Sequence, residues 1–355
     1  MRANARKNII YSLILLLMVI LVYTWRNGGD EKTEETSAVV TAGKMTLNGQ
    51  TMGTTYNVTY MDIEGRDFKP QIDSLLLKFN ESLSTYIPDS EISRFNAQDT
   101  LRFELPFMLP VLKKSKEVFE KTEGAFDPTV GPLVNVWGFG PGGPTLKDSV
   151  DIARLVRSVG FEKIMFDSVQ MTKADSVIYL DFSAIAKGYG ADEIASYLER
   201  QGVVNYLVEI GGDLVAKGVN DKGELWKLGV NRPDEESTAS DIYSIIAVQD
   251  KGMATSGNYR NFYVRDSIMI SHTISPETGY PVRHGLLSAT VLASDCMTAD
   301  AYATAIMVMG TEKAIALDQE LEEIEVFLIY SDANGGYKTY VSESLKPYLS
   351  FLVEE

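Results

Sequence analysis

The stretch Ala184–Lys217, AIAKGYGADEIASYLERQGVVNYLVEIGGDLVAK, contains the change of element type on which the fold turns. Ala184–Arg200 has helical spacing and is closed by Gly202. Asn205–Ile210 and Leu214–Lys217 follow as short strands on either side of Gly211–Gly212. Outward from this core the two element types alternate irregularly. Gln50–Met61 reads as a strand with Tyr56, Val58 and Tyr60 on one face, and Ile72–Leu83 and Pro106–Glu123 read as helices. Ser149–Val159 reads as a helix, and Lys163–Asp167 and Ser176–Phe182 as strands around a polar turn. Trp226–Val230, Tyr243–Val248, Asn261–Val264 and Leu287–Ala293 continue the sheet. Thr298–Met309 and Glu312–Leu321 are helical, and Val326–Ser331 with Tyr337–Val341 forms a hairpin. Irregular alternation implies an α+β fold, with mixed, largely antiparallel sheets and packed helices, rather than a regular βαβ array.

Composition narrows the function. The chain has 355 residues, 45% hydrophobic and 23% charged, and a net charge of −16. That acidity argues against a nucleic-acid partner, which needs a basic face against phosphate. Two histidines and one cysteine leave no material for a His/Cys zinc cluster or an internal disulfide. An anionic ligand would have to be held by local donors or a bound metal.

At the N-terminus Arg2, Arg6 and Lys7 precede the apolar run Ile9–Trp25. This pattern implies a signal anchor over residues 1–26 with the body exported; a cleaved signal peptide is the alternative, and both place the body outside the cytoplasm. Residues 27–44 read as a linker, and 45–355 as the folded domain.

Four segments hold side chains suited to chemistry. In Ala299–Thr304, Asp300 and Thr304 lie four apart on one helical face, an oxygen pair suited to a hard cation, with small alanines beside them. The same spacing also suits an ordinary helix whose threonine bonds its own backbone. Asp181–Asp192 is a strand–turn–helix junction whose free N–H groups, with Lys187, could receive phosphate; a plain capped junction fits as well. Gly124–Pro132 and Trp137–Gly140 form a rigid Gly/Pro loop that a flat ring could approach, or a structured linker. Ser271–Gly279 contains His272, able to take a hydroxyl proton near neutral pH. His284 reads as a solvated loop residue and Cys296 as a small buried side chain.

Taken in order, these segments resemble the ApbE family of FAD:protein FMN transferases. The resemblance runs from about Gln50 to Gly310. It also includes Thr51–Tyr56, Ser84–Tyr86, Ser90–Asn96, Ile210–Asp213 and Ser256–Tyr259. It implies a T-fold-like α+β architecture that binds FAD with Mg²⁺ and transfers FMN to a threonine hydroxyl of a target protein, releasing AMP. Targets would carry a Ser/Thr-Gly-Ala-Thr type motif and belong to membrane redox complexes. The implied flavin contacts are Met52, Tyr86, Ala125, Phe126, Asp127, Asp181, Lys187 and Ile274. The implied metal ligands are the Ala184 carbonyl, Asp300 and Thr304, and His272 is the implied proton acceptor. The chain departs from the family pattern in three ways. No lipid-bearing cysteine is present, Ser275 stands where an aspartate is usual, and Met297 supplies no second carboxylate near Asp300. FAD storage without transfer, and FAD hydrolysis to AMP and FMN, are the competing readings.

Overall fold

The computed structural model describes residues 43–140, 152–234, 237–238, 241–258, 262–265, 268–332 and 335–352, without side chains for 262–270. All belong to one compact unit, Ala42–Glu355. The expected anchor Ile9–Trp25 and residues 27–42 of the expected linker lie outside the described residues, as do 149–151, Tyr259, Asn261 and Asn334. Among the described residues no helix is long and apolar enough to cross a membrane.

Eight described strands make one antiparallel sheet in which spatial order follows chain order. They are Gly43–Thr51, Thr54–Asp62, Tyr206–Ile210, Asp213–Lys217, Lys251–Gly257, Leu286–Ala293, Ile324–Ser331 and Tyr337–Val341. Successive side chains in a strand point to opposite faces, so alternation decides which layer each residue enters. Tyr56, Val58, Tyr60, Tyr206, Val208 and Ile210 face helices Lys69–Leu83 and Ala186–Arg200 through Ile72, Leu76, Ile194 and Leu198. Met253, Leu292, Phe327 and Ile329 point the other way, onto a three-stranded sheet of Trp226–Asn231, Ile242–Val248 and Leu349–Phe351. Val291, Ala293, Val326 and Leu328 face the helix Cys296–Met309. That helix is buried on nearly every side, as its run of alanines allows.

Two glycines let this helix sit so deep. A Cβ on Gly188 would lie 2.2 Å from the Cys296 carbonyl oxygen, and one on Gly252 would lie 2.2 Å from the Cys296 nitrogen. Gly188→Ala is therefore expected to lower stability by about 1–3 kcal/mol through overpacking against backbone. Urea denaturation of the full chain measures this; wild-type stability in the variant would show that the helix can back away at no cost.

Several expectations need correction. Gln50–Met61 is not one strand. The chain reverses at Met52–Gly53, whose φ values of 50° and 74° match a two-residue hairpin turn. Expected linker residues Gly43 and Lys44 already belong to the first strand of that hairpin. Ser176–Phe182 forms no strand. Its extended course is held by a bridge from Tyr179 to Val130 and by Asn96, whose side chain both donates to and accepts from the Leu180 backbone. Gly131–Trp137 is a short helix rather than a loop: Pro132 suits a first turn, and Gly138 ends it at φ 90°. Lys251–Gly257 is a central strand that pattern reading does not find. His284 is exposed in a loop, as expected, and its ring is also tied down: Nδ1 accepts from the Leu286 N–H and Nε2 meets the Met307 carbonyl at 2.8 Å. Cys296 is fully buried, as expected.

Candidate active site

The buried helix Cys296–Met309 begins under two carboxylates. Asp192 accepts from the N–H groups of Cys296 (2.9 Å) and Met297 (2.7 Å). The Asp295 side chain accepts from the Thr298 N–H, and its carbonyl from the Ala299 N–H. All four N–H groups of the first turn are thus satisfied, so this helix end has nothing left for an anion. The helix Ala186–Arg200 is similar. The N–H of Ala186 goes to the Phe182 carbonyl, that of Gly188 to Asp300, and that of Tyr189 to the Ile185 carbonyl. Three N–H groups of the expected phosphate-binding turn, those of Ala186, Gly188 and Tyr189, are therefore taken up, and the Lys187 ammonium adds a positive charge at this point.

Asp300 lies in the second turn of its helix and is only 3% exposed. Its Oδ2 accepts the Gly188 N–H at 3.1 Å. In a regular helix that N–H would bond to the carbonyl four residues back, that of Ala184. Among the described residues the Ala184 carbonyl accepts no backbone N–H, so an oxygen without its helical donor and the Asp300 carboxylate meet at this turn. Thr304, one turn beyond Asp300, has its hydroxyl 3.4 Å from that of Ser256. Lys187 Nζ contacts Asp213 closely and lies 3.5 Å from Asp300 Oδ2. Burial opposes the charge on Lys187, but Asp213 and Asp300 outweigh it and hold the ammonium protonated. Burial and then the Asp300 carboxylate push the Asp213 carboxyl up, against the pull of Lys187. Two carboxylates thus face one ammonium.

A second region forms around Asp181. Its N–H donates to the Pro128 carbonyl at 2.8 Å, and its Oδ1 accepts from the Ser183 N–H and hydroxyl. Tyr86 is 66% exposed, and its phenol is pushed up by partial burial of the hydroxyl and then by Asp181. Ser90 fixes the approach to Tyr86 by donating its hydroxyl to the Ser84 carbonyl at 2.7 Å. Phe126 and Asp127 are buried at 2% and 6% exposure, so the Gly124–Gly131 segment would meet a ligand through backbone rather than these side chains. Asp127 Oδ1 accepts both the N–H and the hydroxyl of Thr129. Burial pushes the Asp127 carboxyl up to about 6.

A raised folded pKa means the native state keeps this proton between about pH 4 and 6 while the unfolded chain loses it. Stability therefore falls as pH rises through that window. Asp127→Asn keeps an acceptor for both Thr129 bonds and removes the charge. Relative to wild type it is expected to gain up to about 3 kcal/mol on going from pH 4 to pH 7.5. Urea denaturation at both pH values checks this; a pH-independent difference would contradict it.

The strand Lys251–Gly257 joins the Thr304 hydroxyl to the histidine segment. Ser256 meets Thr304, and Asn258, two residues on, accepts the Thr273 hydroxyl at 2.8 Å beside His272. The His272 ring meets Phe139 edge-on, with centroids 6.2 Å apart. Ile274 packs with Leu133, Trp137 and Val159, and Trp137 Nε1 donates to the Gly279 carbonyl at 2.8 Å. Residues 124–140 thereby touch both the Asp181 turn and the His272 segment.

Residues 52–328 match the model of the ApbE family. The chain belongs to the ApbE family. It is 40% identical to an FAD:protein FMN transferase of Vibrio cholerae serotype O1, over 87% of this chain and 94% of that one. An FAD:protein FMN transferase of Escherichia coli K12 is 33% identical, over 97% of this chain and 98% of its own length. The structure of flavin transferase ApbE from Vibrio cholerae superposes with a TM-score of 0.76 at 39% identity, covering 86% of this chain and 99% of that one. Pseudomonas stutzeri flavinyl transferase ApbE, apo form, gives 0.77 at 30% identity, covering 88% and 98%.

Among the residues expected of an ApbE-type site, the fold brings Lys187, Asp300 and Thr304 to one pair of helices with Ala184 just ahead of the first, and Tyr86 to Asp181. Met52 lies over the same helix: a Cβ on Gly190 would come within 2.7 Å of its Cε. Sequence reading quoted Asp213, Ser256 and Asn258 inside motifs but assigned them no role. Asp213 carried a signal, because it shares a strand face with buried Val215, an apolar position holding a carboxylate.

Proposed function

We infer that this enzyme is an FAD:protein FMN transferase: FAD is its substrate, and a protein receives the FMN. We further propose that Mg²⁺ is required, held by the Ala184 carbonyl, Asp300 and Thr304. One observation carries this reading. Asp213 and Asp300 outnumber Lys187, while the Ala184 carbonyl receives no backbone N–H among the described residues. An anionic pyrophosphate would be repelled from such a turn unless a cation intervened. Carbonyl, carboxylate and hydroxyl oxygens form a donor set for a hard cation. Among the described residues no three His, Cys, Asp or Glu side chains cluster to hold a metal, so the backbone and hydroxyl oxygens would have to take part. When bound there, Mg²⁺ supplies charge neutralisation on the pyrophosphate.

The chain's own residues then have separate tasks. Tyr86, Asp181 and Ile274, with the backbone at Ala125, Phe126 and Asp127 and the side chain of Met52, receive the flavin end. Lys187 faces the phosphates. His272 takes the proton from the acceptor threonine hydroxyl through a ring nitrogen. The threonine Oγ–P bond forms as the P–O bond to AMP breaks, so AMP leaves and the FMN phosphate becomes a phosphodiester between the ribityl chain and the threonine. The acceptor is proposed to carry a Ser/Thr-Gly-Ala-Thr type motif on a membrane redox subunit. Arg2, Arg6 and Lys7 ahead of Ile9–Trp25 support anchoring in a bacterial inner membrane, with the body on the periplasmic side.

Incubation of the protein with FAD, Mg²⁺ and an acceptor bearing the motif tests the reading. Acceptor mass is expected to rise by one FMN as AMP appears. AMP with free FMN would indicate hydrolysis, and unchanged FAD would indicate binding alone; either contradicts transfer.

A further inference from the structure

We propose that Asp213 is a positioning residue that draws the Lys187 ammonium off Asp300 and so keeps Asp300 open to a cation. The inference rests on the cation reading of Asp300 given above. Lys187 leaves the first turn of Ala186–Arg200 and reaches between two carboxylates on different elements. Asp300 comes from the buried helix, and Asp213 opens the strand after Gly211–Gly212. The contacts are unequal: Nζ bonds directly to Asp213 but stands 3.5 Å from Asp300 Oδ2, beyond a good hydrogen bond. Asp213 is 2% exposed, so its carboxylate has little water to satisfy it and depends on Lys187.

The geometry at the turn fixes the direction of pull. Gly211 and Gly212 have φ values of 57° and 96°, the left-handed region that glycine tolerates, and the turn delivers Asp213 opposite Ile210 in register. A Cβ on Gly211 would come within 3.3 Å of the Lys187 Cδ. The turn therefore braces the lysine stem while Asp213 holds its tip. Without Asp213, Asp300 is the remaining carboxylate within reach of the ammonium among the described residues. The two would form a buried ion pair, and a divalent cation would have to displace a fixed positive charge to bind.

The test is Mn²⁺ binding, followed by calorimetry and the paramagnetic resonance of the free ion, in four full-length proteins without acceptor. These are wild type, Asp213→Asn, Lys187→Met, and the double variant. Asp213→Asn is expected to weaken Mn²⁺ binding at least tenfold when Lys187 is present, and less than twofold when residue 187 is methionine. Equal weakening in both backgrounds would mean that Asp213 acts on the cation directly, and no weakening in either that it has no part; both overturn the proposal. Absence of Mn²⁺ binding by the wild type would sink the cation reading itself and this inference with it. Should Asp213→Asn not fold, a structure of the wild type with Mn²⁺ decides. Lys187 Nζ on Asp213 and more than about 4 Å from Asp300 supports the proposal; Nζ paired with Asp300 beside the ion overturns it.

Discussion

Asp300→Asn is expected to fold like the wild type, to bind FAD more weakly, and to transfer FMN about 10³-fold more slowly at saturating Mg²⁺. The reasoning separates structure from charge. The asparagine amide keeps an oxygen for the Gly188 N–H, the backbone group that the Asp300 side chain accepts among the described residues. What disappears is the negative charge that would grip a divalent ion. Loss of metal neutralisation costs several kcal/mol of transition-state stabilisation, and about 4 kcal/mol corresponds to 10³ in rate. Asp300→Ala adds an unsatisfied Gly188 N–H and is expected to be less stable by about 1 kcal/mol or more as well. Single-turnover transfer with varied Mg²⁺ reads the effect. A variant that kept the wild-type rate and the wild-type response to chelator would refute the assignment.

His272→Ala is expected to retain FAD binding and cation dependence while transfer falls about 10²–10⁴-fold, the range for loss of a general base. His272 lies at the end of the Ile268–Ser271 strand, where Asn258 ties its neighbour Thr273 to the strand that carries Ser256. The substitution leaves those bonds in place, so the flavin site persists. FAD titration beside acceptor mass measurement separates binding from transfer. Unimpaired labelling would remove the proton-acceptor role, and loss of FAD binding would show that the ring serves the flavin instead. Ser275 gives no carboxylate to this histidine: its hydroxyl accepts the Thr278 N–H at 3.2 Å and its carbonyl the Gly279 N–H, so it builds the turn.

How much of this was legible from sequence depended on how local each signal was. Helices such as Ile72–Leu83 and Ala184–Arg200 stood out because one apolar face repeats at helical spacing and a Gly or polar stop follows; their observed starts move by two or three residues. The strand Lys251–Gly257 did not stand out. KGMATSG has few β-branched residues, and its Gly252 serves a contact with Cys296 that sequence does not display. Likewise Gly131–Pro132 read as a breaker, though a proline inside the first helical turn costs no hydrogen bond. At the site, Asp300 and Thr304 were visible as a helical pair. The diversion of the Gly188 N–H away from Ala184 and the hold of Asp213 on Lys187 join residues 26 to 112 positions apart. No local pattern encodes such contacts. Asn96 is a similar case: its motif was plain, but its purpose, holding Leu180 extended without a strand partner, appears only in three dimensions.

The central claim is that a divalent cation sits between the Ala184 carbonyl, Asp300 and Thr304 and faces the pyrophosphate of FAD. Anomalous diffraction at the manganese edge, from crystals grown with FAD and Mn²⁺, locates that ion directly. A peak within about 2.0–2.4 Å of Asp300 and Thr304 oxygens and of a phosphate oxygen is the predicted result. Clear FAD density with no peak at that turn, or a peak elsewhere in the protein, would contradict it.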